Sequence, residues 1–350
     1  MPVAEVAADV ARAGDSKVGQ AAAQWGLRRG GRAVYWGVLA PLAARLPAPL
    51  AYRVGCAWGD LTYRMWPDRG SQLEYLRSLR RLLGDDVIPD DVERLMREFC
   101  RYRACEVIDV MRLHGRAESL RSLVEIRGQE HLEAALEKGR GAILCSAHLG
   151  SYLSVFSLLH AGGFPLTNLG RWDWNYHDAV SPAERRFWDV VYSRRVLRHR
   201  QRPNIEPGHG QVQVAVQAAA ALRANELLMI CSDAAPIPAD RDRTVEAPFL
   251  GGRARLLPGV VGLAELTGAP ILMAFSYRLE DYRHQVLEIS PPVSLEGGTE
   301  AAFQRCVSAM DAAIKAHPRD WYFWFQQDDL VQLGLLPEAE TESTAARPGS

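Results

Sequence analysis

The sequence predicts an α/β protein in which helices flank a central mixed sheet and a helical segment precedes that sheet. Two alternating patterns indicate this class. Short apolar runs bounded by glycine, such as residues 142–146, have the length and composition of buried strands. Longer stretches repeat apolar residues at helical spacing, and from residue 123 onward the two patterns alternate. A strand, a helix and a strand in succession predict parallel pairing through a right-handed crossover.

Each element is predicted from its own pattern. Leucine stripes at helical spacing predict helices between residues 71 and 117, and a β-rich run predicts the first strand at residues 123–127. The remaining elements follow in order: helix 130–138, strand 142–146, a helix beginning near His148, a strand after Gly163, helix 211–224, strands 227–231, 270–276 and 285–289, and helix 299–316.

Composition excludes several classes of protein. The 350 residues are 48% hydrophobic, which is enough for a large core and too much for a disordered chain. A net charge of −1 argues against a general nucleic-acid binder. The six cysteines include no Cys-x-x-Cys pair, so we expect reduced thiols rather than a disulfide framework, and we predict no metal site. We recognise no secretory signal, and no apolar run approaches the roughly 18 residues that span a bilayer.

The chain is predicted to divide into four parts. Residues 1–30 are expected to be a flexible lead-in and residues 336–350 a disordered tail. Residues 31–117 are expected to be helical, and residues 118–335 are expected to form the α/β domain. Apolar stretches with tryptophans and arginines in the helical segment are typical of helices lying in a lipid headgroup region. Packing of the same apolar faces on the domain is the alternative.

A basic run stands in the middle of the chain. Residues 184–202 begin with a helical pattern and then carry a cluster of arginines: Arg194, Arg195, Arg198, Arg200 and Arg202. A solvated helix face accounts for such a run. A docking surface for anionic lipid or for an acidic carrier protein is the sharper alternative.

Two chemically active residues directly follow predicted strands. His148 comes just after the strand at residues 142–146, and Asp233 follows the strand at residues 227–231. Ligands of open α/β sheets bind in the crevice outside the carboxyl ends of the strands. A histidine there is suited to act as a base, because its unperturbed pKa is about 6.5. A capping or core histidine at a strand end is the equally weighted alternative.

Four blocks of sequence carry a resemblance to a known family. They are residues 128–144 with the following His148-Leu-Gly150, residues 245–254, residues 263–272 and residues 317–324. In this order they resemble the lysophospholipid acyltransferase superfamily, most of all the bacterial branch of lipid A late acyltransferases and phosphatidylinositol mannoside acyltransferases. The resemblance implies a glycerolipid acyltransferase-like α/β fold.

The resemblance also implies an activity. In the family, a fatty acyl group passes from an acyl thioester, either acyl-CoA or acyl carrier protein, to an acceptor hydroxyl. Here the expected acceptor is a lipid, a glycolipid or a secondary metabolite with a hydroxyl or an amine. The thioester is a co-substrate, and no cofactor is expected. A family histidine deprotonates the acceptor, which assigns the general base to His148. We expect a peripheral protein on the cytoplasmic face of the plasma membrane, with a cytoplasmic protein as the alternative.

Further residues match the family blocks. Arg171 matches an arginine expected to hold phosphate through its planar fork, with a surface salt bridge as the alternative. Phe249 and Gly251 match a loop that lines the acceptor groove, with turn packing as the alternative. Tyr152 is expected to shape the acceptor pocket, and core packing accounts for it equally well. The family often has His-Arg-Arg near its closing aromatics, but residues 325–328 lack these cations, which argues against a highly anionic glycolipid acceptor.

The orienting acid of the family is missing. It stands five residues after the histidine, where this chain has Leu153. A leucine accepts no imidazole N–H, and losing the orienter costs about 10⁴ in rate in a serine protease. Three explanations stay open. A carboxylate from elsewhere replaces the acid, with Asp233 and Glu246 as candidates; the acceptor is a neutral amine that needs no deprotonation; or the chain is a non-catalytic acyl- or lipid-binding relative.

Overall fold

The structure, a computed structural model, describes residues 31, 34–66, 68–170, 205, 211–236 and 238–336. The predicted lead-in and nearly all of the predicted tail lie outside these residues, as do Arg171 and the basic run of residues 184–202.

The first part of the described chain is helical. A π-helical turn at Tyr35–Leu39 leads into α1 (Ala40–Ala43), and α2 (Ala48–Arg64), α3 (Arg69–Leu83) and α4 (Val92–Arg121) follow. The Asp91 side chain accepts a hydrogen bond from the Arg94 backbone N–H at 2.8 Å and thereby caps the start of α4. Helices α3 and α4 confirm the prediction from the leucine stripes.

Strands and further helices follow along the chain and alternate as far as the fourth strand. In order they are β1 (Val124–Arg127), α5 (Gln129–Leu136), β2 (Ala142–Ser146), α6 (Tyr152–Ala161), β3 (Leu166–Leu169), α7 (Gln211–Arg223), β4 (Leu227–Cys231), β5 (Val245–Phe249), β6 (Gly252–Leu256), α8 (Gly259–Thr267), β7 (Ile271–Arg278), β8 (Gln285–Pro292), α9 (Gly298–Ala316) and α10 (Gln327–Gln332). Strands β2 and β4 have the predicted bounds, because each is an apolar run cut off sharply at both ends.

Six of these strands form the central mixed sheet, in the order β1-β8-β7-β2-β4-β3. Strands β7, β2, β4 and β3 run parallel to one another, whereas β8 runs antiparallel to β7 and parallel to β1. The carboxyl ends of β2 and β4 therefore lie side by side at one edge of the sheet. This confirms the predicted mixed sheet with flanking helices.

The predicted parallel pairing of β1 with β2 is wrong. Strand β1 pairs with β8, and β2 pairs with β7 on one side and β4 on the other. The long antiparallel pair β7–β8 lies between β1 and β2, so the two run in opposite directions. Local periodicity identifies a strand, but it carries no information about a hairpin that arrives much later in the chain.

Alternate residues of the sheet face two different apolar cores. On β2, Ile143 and Cys145 belong to a core with side chains of α3, α8 and α9, whereas Ala142 and Leu144 belong to a second core with α6. This alternation follows from the two-residue repeat of a strand. Helices cover both faces of the sheet, so a ligand would have to bind at the edge where the strands end.

Strands β5 and β6 form a separate antiparallel hairpin that the sequence pattern did not predict. Ala247 and Phe249 are buried, whereas Glu246 and Pro248, which alternate with them, are exposed. The turn that joins the strands contains Leu250 and Gly251, both with positive φ. Pro248 within the first strand hides this alternation, since proline is uncommon inside strands.

Helix α2 packs closely on α4. A Cβ added at Gly59 would lie 2.4 Å from the Cα of Arg101, so only glycine permits this approach. Next to it, Asp60 accepts hydrogen bonds from Arg101 at 2.7 Å and from Arg97 at 2.8 Å. The hydrogen bond from Arg101 holds the pKa of the Asp60 carboxyl below its usual range.

Gly59→Ala is expected to destabilise the protein by about 1–3 kcal/mol, because the added methyl group must push α2 away from α4. The measurement is the free energy of unfolding in urea. Gly262→Ala is the matched control: Gly262 lies exposed in α8 with no atom near its virtual Cβ. Gly262→Ala should stabilise the protein by up to about 1 kcal/mol, because alanine has a higher helix propensity than glycine. Equal effects at the two positions would contradict the close-packing explanation.

Candidate active site

His148 lies in a short loop between β2 and α6. The helix that the sequence predicts to begin near His148 begins four residues later, at Tyr152. The reason is local: Gly150 has a φ of +62°, and a Cβ there would lie 2.2 Å from the carbonyl oxygen of Ser276. The loop backbone is also held from outside, since the Gly150 N–H donates to the carbonyl oxygen of Asp320 at 3.0 Å. His148 is therefore held on a loop at the carboxyl end of β2.

Asp233 reaches His148 from the neighbouring strand. Ser146 of β2 lies opposite Cys231 of β4, so the residues just beyond both strand ends are adjacent. His148 Nδ1 lies 2.7 Å from Asp233 Oδ1, and the His148 backbone N–H donates to Asp233 Oδ2 at 2.8 Å. The Asp233 side chain is fully buried, whereas 22% of the His148 side chain is exposed. The His148 ring is thus held by Asp233 at its Nδ1 atom, and part of the ring is exposed to solvent.

This arrangement defines which nitrogen of the ring is free. A carboxylate only accepts hydrogen bonds, so the Nδ1 atom of His148 carries the proton that it donates to Asp233. The Nε2 atom of His148 then keeps its lone pair. A neutral imidazole held in this tautomer is suited to remove a proton from a nucleophile, and the buried carboxylate stabilises the imidazolium that forms.

Aromatic side chains surround the His148 ring. The ring of Phe323 lies 4.9 Å away and the ring of Tyr152 lies 5.1 Å away, both edge-on. The backbone N–H of Tyr322 donates to the carbonyl oxygen of His148 at 3.0 Å. Tyr152 thus lies beside His148, and its role in shaping an acceptor pocket stays a prediction. The His148 ring therefore has two aromatic neighbours in addition to the Asp233 carboxylate at its Nδ1 atom.

A buried polar cluster fixes the other end of the loop. The Asp109 carboxylate accepts hydrogen bonds from the Tyr52 hydroxyl at 2.6 Å and the Ser151 hydroxyl at 2.9 Å, and it forms an ion pair with Arg278. The Arg278 guanidinium also donates to Ser151 Oγ at 2.7 Å. Burial lowers the pKa of the Arg278 guanidinium, but the adjacent Asp109 carboxylate and other neighbouring groups raise it, and the net pKa of Arg278 is above its usual value. Ser151 is thereby tied to α2, α4 and β7 at once.

Leu153 stands where the family has its acid. Its side chain packs against an apolar cluster formed by the N-terminal helices and α4, which includes Tyr35 and Tyr52. A carboxylate here would face apolar side chains, so the position has a packing role. The carboxylate that contacts His148 comes from the loop after β4 instead.

The other predicted site residues lie apart from this pair. Glu246 is exposed on β5 and lies 3.5 Å from Arg253 and 3.8 Å from Arg255, and among the described residues no hydrogen bond joins it to His148. Phe249 is buried, with its ring edge-on to Trp321. A Cβ at Gly251 would collide with the carbonyl oxygen of Leu83, at 1.7 Å. The placement of Phe249 and Gly251 is that of core and turn packing. Arg171 lies outside the described residues.

Sequence reasoning missed several contributors to the site. Trp321 donates its indole N–H to Asp233 Oδ2 at 2.9 Å, and Phe323 contacts the His148 ring. Both stand in the block of residues 317–324, for which the resemblance implies no individual residue roles. Two further residues carry a weak signal in the sequence: Asp109 lies within the otherwise apolar run 107–111, and Arg278 ends the mostly apolar run 271–278. Such residues are rarely buried unless they are paired.

Comparisons with known proteins bear on this geometry. A sequence model of the family described as bacterial lipid A biosynthesis acyltransferase matches residues 23–328, which include the whole central sheet and both residues of the His148–Asp233 pair. A comparison with curated proteins gives no match.

Proposed function

The chain belongs to the bacterial lipid A biosynthesis acyltransferase family and is an acyltransferase of lipid biosynthesis, and from this premise we propose that His148 is its general base and Asp233 its orienting acid. The observation that carries the proposal is the 2.7 Å contact between His148 Nδ1 and Asp233 Oδ1, with the ring partly open to solvent. The missing acid at Leu153 is then no obstacle to catalysis.

The proposed reaction is a direct transfer. His148 Nε2 accepts the proton of an acceptor hydroxyl, and the acceptor oxygen attacks the carbonyl carbon of the thioester. The tetrahedral intermediate collapses with cleavage of the C–S bond, and the imidazolium returns its proton to the departing thiolate. The products are an acyl ester and a free thiol. Asp233 remains ionised throughout and stabilises the imidazolium.

The proposed donor is an acyl thioester of coenzyme A or acyl carrier protein, and the proposed acceptor is a lipid hydroxyl. The test combines the purified protein with palmitoyl-CoA, or with palmitoyl-loaded acyl carrier protein, and a total bacterial lipid extract. Free thiol release is followed together with mass spectrometry of the lipids. A new acylated lipid that appears in step with thiol supports the proposal. Thiol release without an acylated product, or no reaction with either donor, contradicts it.

We further propose that the N-terminal helices rest on a membrane surface. Apolar side chains stand exposed at every fourth position along this segment: Val34, Val38, Leu42, Leu46 and Leu50. Exposed arginines stand close to them in sequence, with Arg45 before Leu46 and Arg53 three residues after Leu50, and residues 33–59 contain no acidic residue. Exposed apolar side chains with neighbouring cations and no neighbouring carboxylates suit the interface of an anionic bilayer. Within the described ranges, no helix is long and apolar enough to cross a membrane.

Leu42→Glu is expected to weaken binding to vesicles of phosphatidylglycerol and phosphatidylcholine by about tenfold or more, because an apolar contact of about 1.5–3 kcal/mol is lost and a like charge is added. The fraction of protein that sediments with the vesicles measures this binding. Val216→Glu is the control, since Val216 is similarly exposed but lies on α7. A loss of the same size at Val216 would contradict a specific membrane face.

A further inference from the structure

Three consecutive residues near the end of the chain contact the His148 loop. The Gly150 N–H donates to the Asp320 carbonyl oxygen at 3.0 Å, and the Tyr322 N–H donates to the His148 carbonyl oxygen at 3.0 Å. Between them, Trp321 forms an antiparallel bridge with Leu149. Residues 320–322 thus pair with the loop much as an added strand would.

Trp321 also reaches past the loop to the acid. Its indole N–H donates to Asp233 Oδ2 at 2.9 Å, and the His148 backbone N–H donates to the same oxygen at 2.8 Å. Two donors on Oδ2 leave Oδ1 for the imidazole. The rotation of a carboxylate about its last side-chain bond is only weakly restricted by its own chemistry. Its orientation is therefore set by the donors around it.

The indole itself has little freedom to turn. Trp321 is fully buried, and its ring meets Trp324 at 4.4 Å and Phe323 at 5.6 Å between centroids, both edge-on. Phe249 lies against it at 6.4 Å. The indole N–H therefore points in a fixed direction. Phe249 packs against the Trp321 ring and helps to hold it there.

We propose that Trp321 is a positioning residue for the transfer reaction, whose indole N–H fixes the Asp233 carboxylate so that Oδ1 faces His148. This inference rests on the proposed function of the His148–Asp233 pair. Trp321 does not reach the substrate in this account. It acts only through the acid, and this separates it from a residue that merely fills the core.

The first test compares two buried tryptophans. Trp321→Phe keeps an aromatic ring and removes the N–H, and is expected to lower kcat for palmitoyl transfer by about 10- to 100-fold, the range for a lost hydrogen bond to a charged group. KM for palmitoyl-CoA should stay unchanged. Trp324→Phe is the matched control, because the Trp324 N–H donates to the Pro318 carbonyl oxygen at 2.6 Å and not to the acid. Equal losses of kcat in the two variants would overturn the proposal.

The second test is a double-mutant cycle with Asp233→Ala. If Trp321 acts through the acid, Trp321→Phe should change kcat less than about threefold once the carboxylate is gone. A full and additive loss in that background would mean that Trp321 acts by packing alone. His148→Ala separates the two proposals. If that variant remains active, the proposed base is wrong, whereas if it is inactive and the cycle is additive, only the role of Trp321 fails.

Discussion

His148→Ala is expected to lower kcat by about 10²–10⁴-fold, the usual contribution of a positioned acid–base group. The physical reason is that, in the proposed reaction, His148 Nε2 takes the proton when the acceptor oxygen attacks the thioester. The loss should appear in kcat with palmitoyl-CoA as donor. Binding of the thioester should change little, since the imidazole contributes to the transition state rather than to the ground state.

A second histidine–aspartate pair in the same chain provides the control. His284 Nδ1 lies 2.6 Å from Asp281 Oδ2 in the exposed turn between β7 and β8. His284→Ala removes an equally short contact far along the chain from the catalytic loop, and we expect its kcat to match the wild type. If the two alanine variants lose activity equally, or if the His148 variant keeps full turnover, the general-base assignment is wrong.

Asp233→Asn is expected to lower kcat by about 10⁴-fold, the loss seen for the same change in a serine protease triad. The reason lies in the hydrogen bonds around the carboxylate. Two donors, the His148 backbone N–H and the Trp321 indole, face Oδ2, so the asparagine must place its carbonyl oxygen there. Its NH₂ group then faces His148 Nδ1, which must accept. The proton moves to Nε2, and the base is blocked.

The Asp233 prediction is checked in the same transfer assay. Asp281→Asn is the matched change in the exposed pair and should leave kcat unaltered. Glu246→Gln discriminates between the two carboxylates proposed from the sequence, and the placement of Glu246 beside Arg253 and Arg255 predicts a small effect. Should Glu246→Gln prove the more damaging change, the orienting acid has been assigned to the wrong strand.

The candidate pair could be reached from the sequence because its two residues obey a simple topological rule. Both follow short apolar runs with sharp ends, and the carboxyl ends of parallel neighbours meet at one edge of a sheet. The family pattern alone pointed to Leu153, where the structure has an apolar contact. The position of Asp233 after a strand indicated the carboxylate that contacts His148, whereas the family's spacing from the histidine did not.

The remaining features could not be predicted because they depend on contacts between distant parts of the chain. No local pattern indicates that β8 separates β1 from β2, or that the Trp321 indole reaches Asp233. The ion pair between Asp109 and Arg278 joins a helix to a strand far along the chain. Burial of each charge looks unfavourable in isolation, and only the partner accounts for it.

That ion pair has a consequence for dividing the protein. The predicted boundary near residue 117 would place Tyr52 and Asp109 in one fragment and Ser151 and Arg278 in the other. Separating the two fragments would break this buried ion pair. It would also expose Leu113 of α4, which packs in the apolar core beside β1 and α6. The helical segment is therefore no detachable anchor, and the sheet is not an autonomous catalytic module. The N-terminal helices and the loop that carries His148 are parts of one folding unit.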